Sequence, residues 1–301
     1  MNSRYVGRFA PSPTGELHFG SLVAAVASYA DAKHHNGAWL LRIDDVDQPR
    51  SIDGSSESII TALEAFGFRW DGPIRRQSER QHHYQDAIAD LRNRSLAYPC
   101  RCSRRQIGKT ARQGVEGLVY PGTCRNWQGT GDEQTSIRLL TSDAEVTAID
   151  RIAGDITQNL ETDIGDFVIF RADGIAAYQL AVVVDDFLDN VTHVVRGADL
   201  VLSTPRQMYL QSRLHYPTPE YAHVPLVRDR DGGKISKSDR AHPLDPAQPL
   251  SALKAAWQFL RQIPMPESVQ DPELFWSHAA KTWCIDLLRD AHSAYPDERT
   301  A

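Results

Sequence analysis

The stretch that most restricts the fold of this chain is GRFAPSPTGELHFG, at residues 7–20. It begins within a short apolar segment, residues 5–10, that is typical of a β-strand. It leads into residues 20–35, whose sequence is typical of a helix. Its prolines stiffen the exit from the strand, and its glycines allow turns beside the helix start. Residues 38–45 and 55–68 repeat the order of strand and helix. This alternation predicts an α/β fold with a parallel sheet, while the absence of a GxGxxG pattern excludes the usual dinucleotide fingerprint.

The rest of the chain continues this pattern after a segment that is poor in apolar residues and rich in Gly and Arg, 100–135. That segment reads as an inserted module. The elements expected beyond it are a hairpin at 167–186 with its turn at 171–174, a strand at 191–200, a helix at 204–215, a strand from 223 into a glycine-rich loop, and helices near 251–262 and 273–292.

Composition restricts the environment of the chain. Its 301 residues are 41% hydrophobic and 24% charged, with a formal net charge of −6, which is typical of a globular protein without overall basic character. The apolar runs are too short to span a membrane, and no basic start precedes an apolar N-terminal run. We therefore expect a cytoplasmic protein with no membrane partner.

Two separated motifs indicate anion binding. In an open parallel sheet, ligands bind beyond the carboxyl ends of the strands. Gly20 opens a helix at such a place, and His18 lies at its mouth, although a simple capped turn explains this stretch equally well. GGKISKS, at residues 232–238, follows a strand and supplies two lysines. Most lysine-rich loops are merely solvated, so it is the pairing of the two motifs that favours a phosphate site.

The paired motifs resemble the HIGH and KMSKS signatures of the class I aminoacyl-tRNA synthetases. HFGS at 18–21 corresponds to the first, and KISKS at 234–238 corresponds to the second. The longer strings RFAPSPTGELHFG, RIDDVD at 42–47 and VVRGADL at 194–200 narrow the resemblance to the glutamyl branch. The resemblance extends from residue 4 to about residue 240.

The resemblance implies a class I synthetase Rossmann-type parallel sheet, with an inserted zinc-containing, acceptor-like module and a small C-terminal helical unit that contacts an RNA stem. The implied divisions are 1–98 for the first catalytic half, 99–135 for the zinc-binding module, 136–240 for the rest of the insertion and the second catalytic half with the KISKS loop, and 241–301 for the helical unit.

The implied chemistry is amino-acid activation, in which a glutamate carboxylate attacks the α-phosphorus of ATP and pyrophosphate leaves. Such a reaction needs alignment of two anions and neutralisation of the developing charge. The resemblance assigns catalysis to His18 and Lys237, with Mg²⁺ bridging the triphosphate. The implied ATP-binding residues are His18, Gly20, Lys234, Ser236 and Lys237.

Glutamate recognition requires cations for two carboxylates and an anion for the amine. Arginine pairs with carboxylates in a bidentate manner, and which arginine holds which carboxylate remains open. The chain reads Arg-Ile-Asp-Asp at 42–45 where the family usually has Arg-Ile-Glu-Asp, so the amine contact is either direct or through a water. The implied glutamate-binding residues are Arg8, Ala10, Ser12, Asp44, Tyr178 and Arg196.

Three clustered cysteines predict a structural zinc site, which usually has four ligands. The candidate ligands are Cys100, Cys102 and Cys124, with His82, His83, Tyr120 or a water as the fourth. In the short relatives of glutamyl-tRNA synthetase, a tyrosine four residues before the last cysteine fills this place, which implies Tyr120. Cys284, in an apolar segment, is expected in the core.

The cysteine-containing module also carries a local excess of positive charge. Residues 100–125 hold six Lys or Arg residues and one acid. Beside a synthetase-like site, such a cluster predicts contact with an RNA backbone.

The number of residues that follow the second motif indicates which RNA is the expected substrate. Only 63 residues follow Ser238, too few for the large anticodon-binding part of a glutamyl-tRNA synthetase. The chain therefore resembles the truncated paralogues that attach glutamate to queuosine at the wobble position of tRNA(Asp). The expected partners are queuosine-bearing tRNA(Asp), ATP and L-glutamate, for a monomer. Two alternatives remain open: a truncated synthetase that charges the 3′ end of tRNA, and a non-catalytic regulator that binds tRNA or adenylate.

Overall fold

The computed structural model of the chain describes residues 4–127, 134–227 and 244–294. The KISKS loop, with Lys234, Ser236 and Lys237, lies outside the described residues. No helix within the described ranges is both long enough and apolar enough to cross a bilayer.

The described strands follow the predicted order with short additions. They are β1 (Val6–Phe9), β2 (Ala38–Ile43), β3 (Arg75–Arg76), β4 (Ala97–Cys100), β5 (Arg112–Gly114), β6 (Gly117–Val119), β7 (Ser136–Leu139), β8 (Glu145–Asp150), β9 (Gly154–Asn159), β10 (Val168–Phe170), β11 (His193–Gly197) and β12 (Glu220–Val224).

The α-helices in the same ranges are α1 (Phe19–His34), α2 (Ser55–Ala65), α3 (Gln81–Asn93), α4 (Arg104–Ile107), α5 (Tyr178–Leu188), α6 (Thr204–Leu214), α7 (Pro249–Phe259) and α8 (Pro272–Thr282). Short 3₁₀ segments occupy Gln48–Arg50, Gln77–Arg80, Ala198–Ser203 and Ile285–Ala294, and Leu160–Ile164 forms a π-helical turn.

The predicted parallel sheet is confirmed, and it is formed from two parts of the chain. Strands β1, β2 and β3 are parallel neighbours, and β11, β12 and β8 are parallel neighbours, with β9 antiparallel at the edge. The two groups meet where Thr192 N donates to Val6 O at 2.9 Å. The carboxyl ends of β1, β2 and β11 therefore lie near one another, as in doubly wound folds.

The inserted region has its own small sheets. Strands β10, β7 and β4 pair in antiparallel fashion, and β5 pairs with β6 in a hairpin. The predicted turn at 171–174 is present, because Phe170 bridges Ala176 across it. The apolar segment that follows this turn forms α5.

Three sequence expectations need correction. The helix expected at 273–292 ends at Thr282, because Trp283 leaves the helical region with φ −56° and ψ 130°. Cys284 is half-buried between α8 and the next 3₁₀ segment, not in the middle of a core helix. The strand expected to begin at His223 instead ends at Val224.

Helix α1 packs its small residues against the sheet. Ala25, Ala27 and Ala30 are fully buried, which allows the helix to approach the strands closely. On the same helix the buried Asp31 accepts from Tyr5 Oη at 2.5 Å, from both Nη atoms of Arg151 at 2.6 and 3.0 Å, and from the indole of Trp283 at 2.9 Å. One carboxylate thus links the N-terminal strand region to the C-terminal helices.

Candidate functional site

A cavity of about 600 Å³ lies at the carboxyl ends of β1 and β11. The loop between β1 and α1 covers one side of it, and the start of α5 lies on another. The predicted site residues that line this cavity are Arg8, Ala10, Ser12, His18, Gly20, Asp44, Tyr178 and Arg196. The structure therefore brings the described glutamate and ATP candidates into one space.

His18 caps the N-terminus of α1. Its Nδ1 accepts from Ser21 N at 3.3 Å, and its Nε2 lies 3.0 Å from Ser21 Oγ. Gly20 permits this arrangement, because a Cβ there would lie 3.2 Å from His18 Cε1. The imidazole is therefore held over a helix end whose dipole favours an anion.

Arg42 lies behind the cavity wall and connects Asp44 to the partner of Arg8. Its fully buried guanidinium donates from Nε to Asp44 Oδ1 at 2.8 Å and from Nη1 to Asp186 Oδ1 at 2.7 Å. Asp186 also accepts from Arg8 Nε at 3.2 Å. Asp44, predicted to bind the glutamate amine, and Arg8, predicted to bind a glutamate carboxylate, are thus joined through the side chains of Arg42 and Asp186.

A second layer of ionic contacts surrounds this network. Asp185 accepts from Gln77 at 2.8 Å and from Tyr84 at 2.9 Å. Arg80 donates to Asp185 at 3.1 Å and to Asp189 at 2.7 Å. Buried charges are tolerated when each has partners of this kind, so the cluster fixes α5 against the segment before α3.

The cluster changes the acidity of its members. Burial raises the pKa of Asp44 to about 6, although Arg42 opposes this shift. Burial also acts to raise the pKa of Asp186, but the attraction of Arg8 and Arg42 outweighs it and lowers that pKa. For Arg42, burial favours a lower pKa, yet the carboxylates around it raise its pKa well above the ordinary value. Of Arg42, Asp44 and Asp186, Asp44 is therefore the residue whose charge changes nearest to neutral pH.

The two arginines of the cavity differ in how many donors they retain. Within the described part of the chain, Arg8 uses only Nε and Nη2, both on Asp186. Arg196 uses all three nitrogens, on His223, Gln207, Thr204 and the Leu200 carbonyl. Both side chains are about 5% exposed, so each is held rigidly at the cavity wall.

Sequence reasoning missed Asp185 and Asp186, which both pair with Arg42, while Asp186 also pairs with Arg8. The two adjacent acids lie near the end of the apolar run YQLAVVVDDF, and acids on a buried helix require buried cations. That signal could have identified them, because buried carboxylates need partners. No comparable local pattern marks Arg42 as their partner, since 144 positions separate it from Asp186.

The cysteine cluster forms a compact set of donor atoms. The three Sγ atoms of Cys100, Cys102 and Cys124 lie within 4.8 Å of one another. Tyr120 Oη lies 3.3 Å from Cys100 Sγ and 3.4 Å from Cys102 Sγ. A tetrahedral zinc with bonds of about 2.3 Å separates its ligands by ~3.7 Å, so these atoms fit a four-coordinate metal. His82 and His83 are not members of this group.

The exposed basic surface beside this cluster is smaller than the sequence indicates. Arg125 donates to Asp166 at 2.7 Å and to Glu161 at 3.0 Å, so its charge is used internally. Arg112 donates to the Thr162 carbonyl. Among the described residues of 100–125, the exposed basic side chains with neither an ion pair nor a hydrogen bond to the protein are Arg101, Arg104, Arg105 and Lys109.

The fold and the cavity define a class I tRNA synthetase catalytic domain. The family model for tRNA synthetases class I (E and Q), catalytic domain, matches residues 5–248. Among solved structures, a glutamate-tRNA synthetase from Elizabethkingia anophelis is 25% identical with a TM-score of 0.76, over 95% of this chain and 66% of that chain.

Relatives of similar length narrow the family further. Glutamyl-Q tRNA(Asp) synthetase from Dechloromonas aromatica (strain RCB) is 47% identical over 292 residues, 96% of this chain and 97% of that protein. The protein of the same name from Ectopseudomonas mendocina (strain ymp) is 51% identical over 267 residues, 89% of this chain and 88% of that protein. The chain belongs to the glutamyl-Q tRNA(Asp) synthetase family, whose members are ligase-type enzymes.

The central role of Arg42 gives a stability prediction. Arg42→Met leaves Asp44 and Asp186 buried without their shared cation, and we expect the free energy of unfolding to fall by about 3–5 kcal/mol. Urea unfolding followed by far-ultraviolet circular dichroism measures this. Arg94→Met, which removes an exposed pair with Asp90, is the control and should change stability by less than about 1 kcal/mol. Equal effects of the two substitutions contradict the assigned role.

Proposed function

We propose that this chain activates glutamate with ATP and transfers it to queuosine at the wobble position of tRNA(Asp). The observation that carries the proposal is the cavity lined by two buried arginines, by an aspartate whose side chain is 6% exposed, and by a helix N-terminus. This arrangement offers cations for carboxylates, an anion for an ammonium group and a positive helix end for phosphate. The family membership agrees with that chemistry.

In the first step, a glutamate α-carboxylate oxygen forms a bond to the α-phosphorus of ATP, and the bond to pyrophosphate breaks. His18 and the N–H groups near Gly20 bind the phosphates, and a bound Mg²⁺ would neutralise part of the charge of the triphosphate. Lys237, with Lys234 and Ser236 beside it, neutralises the charge on the departing pyrophosphate. The protein contributes alignment and charge stabilisation, because no protein nucleophile is required.

Glutamate is bound by side chains at the cavity wall. Arg8 and Arg196 pair with its two carboxylates, Asp44 pairs with its ammonium group, and the Tyr178 hydroxyl donates a hydrogen bond. The main chain at Ala10 and the hydroxyl of Ser12 complete the set. Arg42 already occupies Asp44 Oδ1, which leaves Oδ2 for the ammonium group, directly or through a water.

In the second step, a hydroxyl of the queuosine cyclopentene ring attacks the carbonyl carbon of the adenylate. An ester forms, AMP leaves, and the hydroxyl proton goes to solvent or to the phosphate. The modified base must leave its loop stack to reach the cavity. Arg101, Arg104, Arg105 and Lys109 contact the RNA backbone, in agreement with their exposure.

The metal we propose is one structural zinc, held by Cys100, Cys102, Cys124 and Tyr120. Burial and the neighbouring thiols raise the pKa of the Tyr120 phenol, so a bound cation is needed to hold it as a phenolate. Through these ligands a bound zinc would link β4 to the segment after β6 and would order the module that carries the basic residues.

The cytoplasm is the proposed location, since ATP, glutamate and tRNA are all available there and thiol ligands persist in a reducing compartment. The monomeric state stays a prediction.

The acceptor is tested by locating transferred glutamate. Labelled glutamate, ATP and queuosine-containing tRNA(Asp) should give label in the anticodon-loop fragment, released by mild alkali as expected of an ester. Queuosine-free tRNA(Asp) should accept nothing, and removal of the 3′-terminal adenosine should change nothing. Label on that adenosine would instead assign the chain as a truncated synthetase, and no transfer or activation would leave a binding regulator.

The metal is tested by elemental analysis. The purified protein should hold about one zinc per chain, and Cys102→Ser should lose it and bind tRNA more weakly as the basic module loses order. Cys284→Ser, which changes a cysteine outside the cluster, should keep the metal. A fully active wild-type protein without metal would refute this assignment.

The pH dependence of activation tests Asp44. Its carboxyl must be ionised to pair with ammonium, and burial raises its pKa to about 6. In glutamate-dependent pyrophosphate exchange, kcat/KM for glutamate should therefore be level above about pH 7 and fall with acid below about pH 6. Asp44→Asn should lower kcat/KM and remove this inflection, whereas Lys237→Ala should lower the rate and retain it. An inflection that persists in Asp44→Asn rules out Asp44 as its source.

A further inference from the structure

Behind Arg196, a line of buried side chains extends away from the cavity. His223 Nε2 lies 2.9 Å from Arg196 Nε, and His223 Nδ1 lies 2.6 Å from Asp150 Oδ2. The three residues are 6%, 0% and 4% exposed in the order Arg196, His223, Asp150. Arg196 and His223 are register partners on the parallel strands β11 and β12, and Asp150 ends the adjacent strand β8.

The contacts in this line fix the histidine tautomer. The Nε of an arginine carries one hydrogen and no acceptor, so His223 Nε2 must accept the bond from Arg196. The ring proton therefore resides on Nδ1 and is donated to Asp150. Burial lowers the pKa of His223; the hydrogen bond to Asp150 opposes this shift, and the charge of Arg196 adds to it, so the ring is neutral at pH 7.

Asp150 is itself held in place. Its Oδ1 accepts from the backbone N–H groups of Ile152 at 2.9 Å and Ala153 at 2.7 Å. Burial acts to raise the pKa of Asp150, but the hydrogen bond from His223 and, after it, the backbone bonds from Ala153 and Ile152 lower it below its ordinary value. The carboxylate is therefore charged and cannot rotate without losing backbone bonds.

The result is an arginine whose orientation is fixed from three sides. His223 holds Nε, Gln207 Oε1 accepts from Nη1 at 2.8 Å, and Thr204 Oγ1 accepts from Nη2 at 2.9 Å. The Leu200 carbonyl accepts the second hydrogen of Nη2 at 3.3 Å. Among the described contacts, one N–H of Nη1 remains for a ligand in the cavity that Arg196 lines.

We infer that Asp150 and His223 are positioning residues. Asp150 fixes the tautomer of His223, and His223 fixes the orientation in which Arg196 binds a substrate carboxylate. The pair acts as buried acid–histidine pairs do elsewhere, where the acid selects the tautomer and the ring orients the group that touches substrate. The inference rests on the proposed function in one respect, namely that glutamate contacts Arg196.

Asp150→Asn tests the inference with little change in shape. The asparagine oxygen can still accept from Ile152 and Ala153, but its amide group then donates towards His223 Nδ1. The ring proton must move to Nε2, where it opposes the N–H of Arg196. We expect KM for glutamate in pyrophosphate exchange to rise about 10- to 100-fold, with little change in KM for ATP.

Two further substitutions separate positioning from general stability. His223→Gln offers an oxygen to Arg196 and should keep KM for glutamate within about fivefold of wild type, whereas His223→Leu should reproduce the loss. Asp31→Asn changes another buried carboxylate that holds different partners. It should lower the melting temperature without raising KM for glutamate.

The histidine tautomer gives a readout that does not depend on activity. The ¹⁵N ring shifts of His223 should show the proton on Nδ1 in the wild type and on Nε2 in Asp150→Asn. An unchanged glutamate KM in a folded Asp150→Asn variant overturns the inference, as does a wild-type proton on Nε2. If wild-type protein shows no glutamate-dependent exchange, the proposed function fails, and the tautomer alone then supports or overturns the pair.

Discussion

The candidate site depends most on the ion pairs of the Arg42 guanidinium, which has no exposed surface. It lies between Asp44 at the end of β2 and Asp186 on α5, with Asp185 also within 4 Å. A buried cation of this kind strongly disfavours any arrangement that removes its carboxylates. Strand β2 and helix α5, which lie far apart in the sequence, are therefore held together at the ligand-binding edge of the sheet by charge as well as by apolar packing.

The same physical solution occurs on both sides of the cavity. Arg8 is paired with Asp186, and Arg196 is connected to Asp150 through the neutral ring of His223. Each cation keeps at least one N–H for a ligand, while a carboxylate behind it offsets the unfavourable burial of its charge. Donors that are already oriented need little reorganisation when an anion binds, and this is the main electrostatic advantage of an enzyme site over water.

Hydrogen bonds also connect the cavity to the cysteine-containing module. Gln207, which accepts from Arg196, donates to Gln179, and Gln179 donates to Ser203. Ser203 Oγ then donates to Glu116, which lies between β5 and β6. The module that carries the exposed basic residues is thus docked on the same elements that hold Arg196, so the surface proposed to contact RNA and the cavity share one scaffold.

Sequence alone determined the first strand, the loop and helix α1 and the parallel sheet. These follow from local order, since strand, turn and helix patterns repeat over short distances and parallel strands end at one edge. The resemblance to the class I synthetases, and not local order, supplied the described site residues that line one cavity. Sequence reasoning did not identify Asp186 as the partner of Arg8 and Arg42, or His223 as the partner of Arg196. It also counted Arg125 in the basic surface, although that side chain is paired with Asp166, and it continued the last helix through Trp283. Only the tertiary structure decided these points, because the choice of partner for a buried charge depends on which distant segments meet, and periodicity carries no information about that.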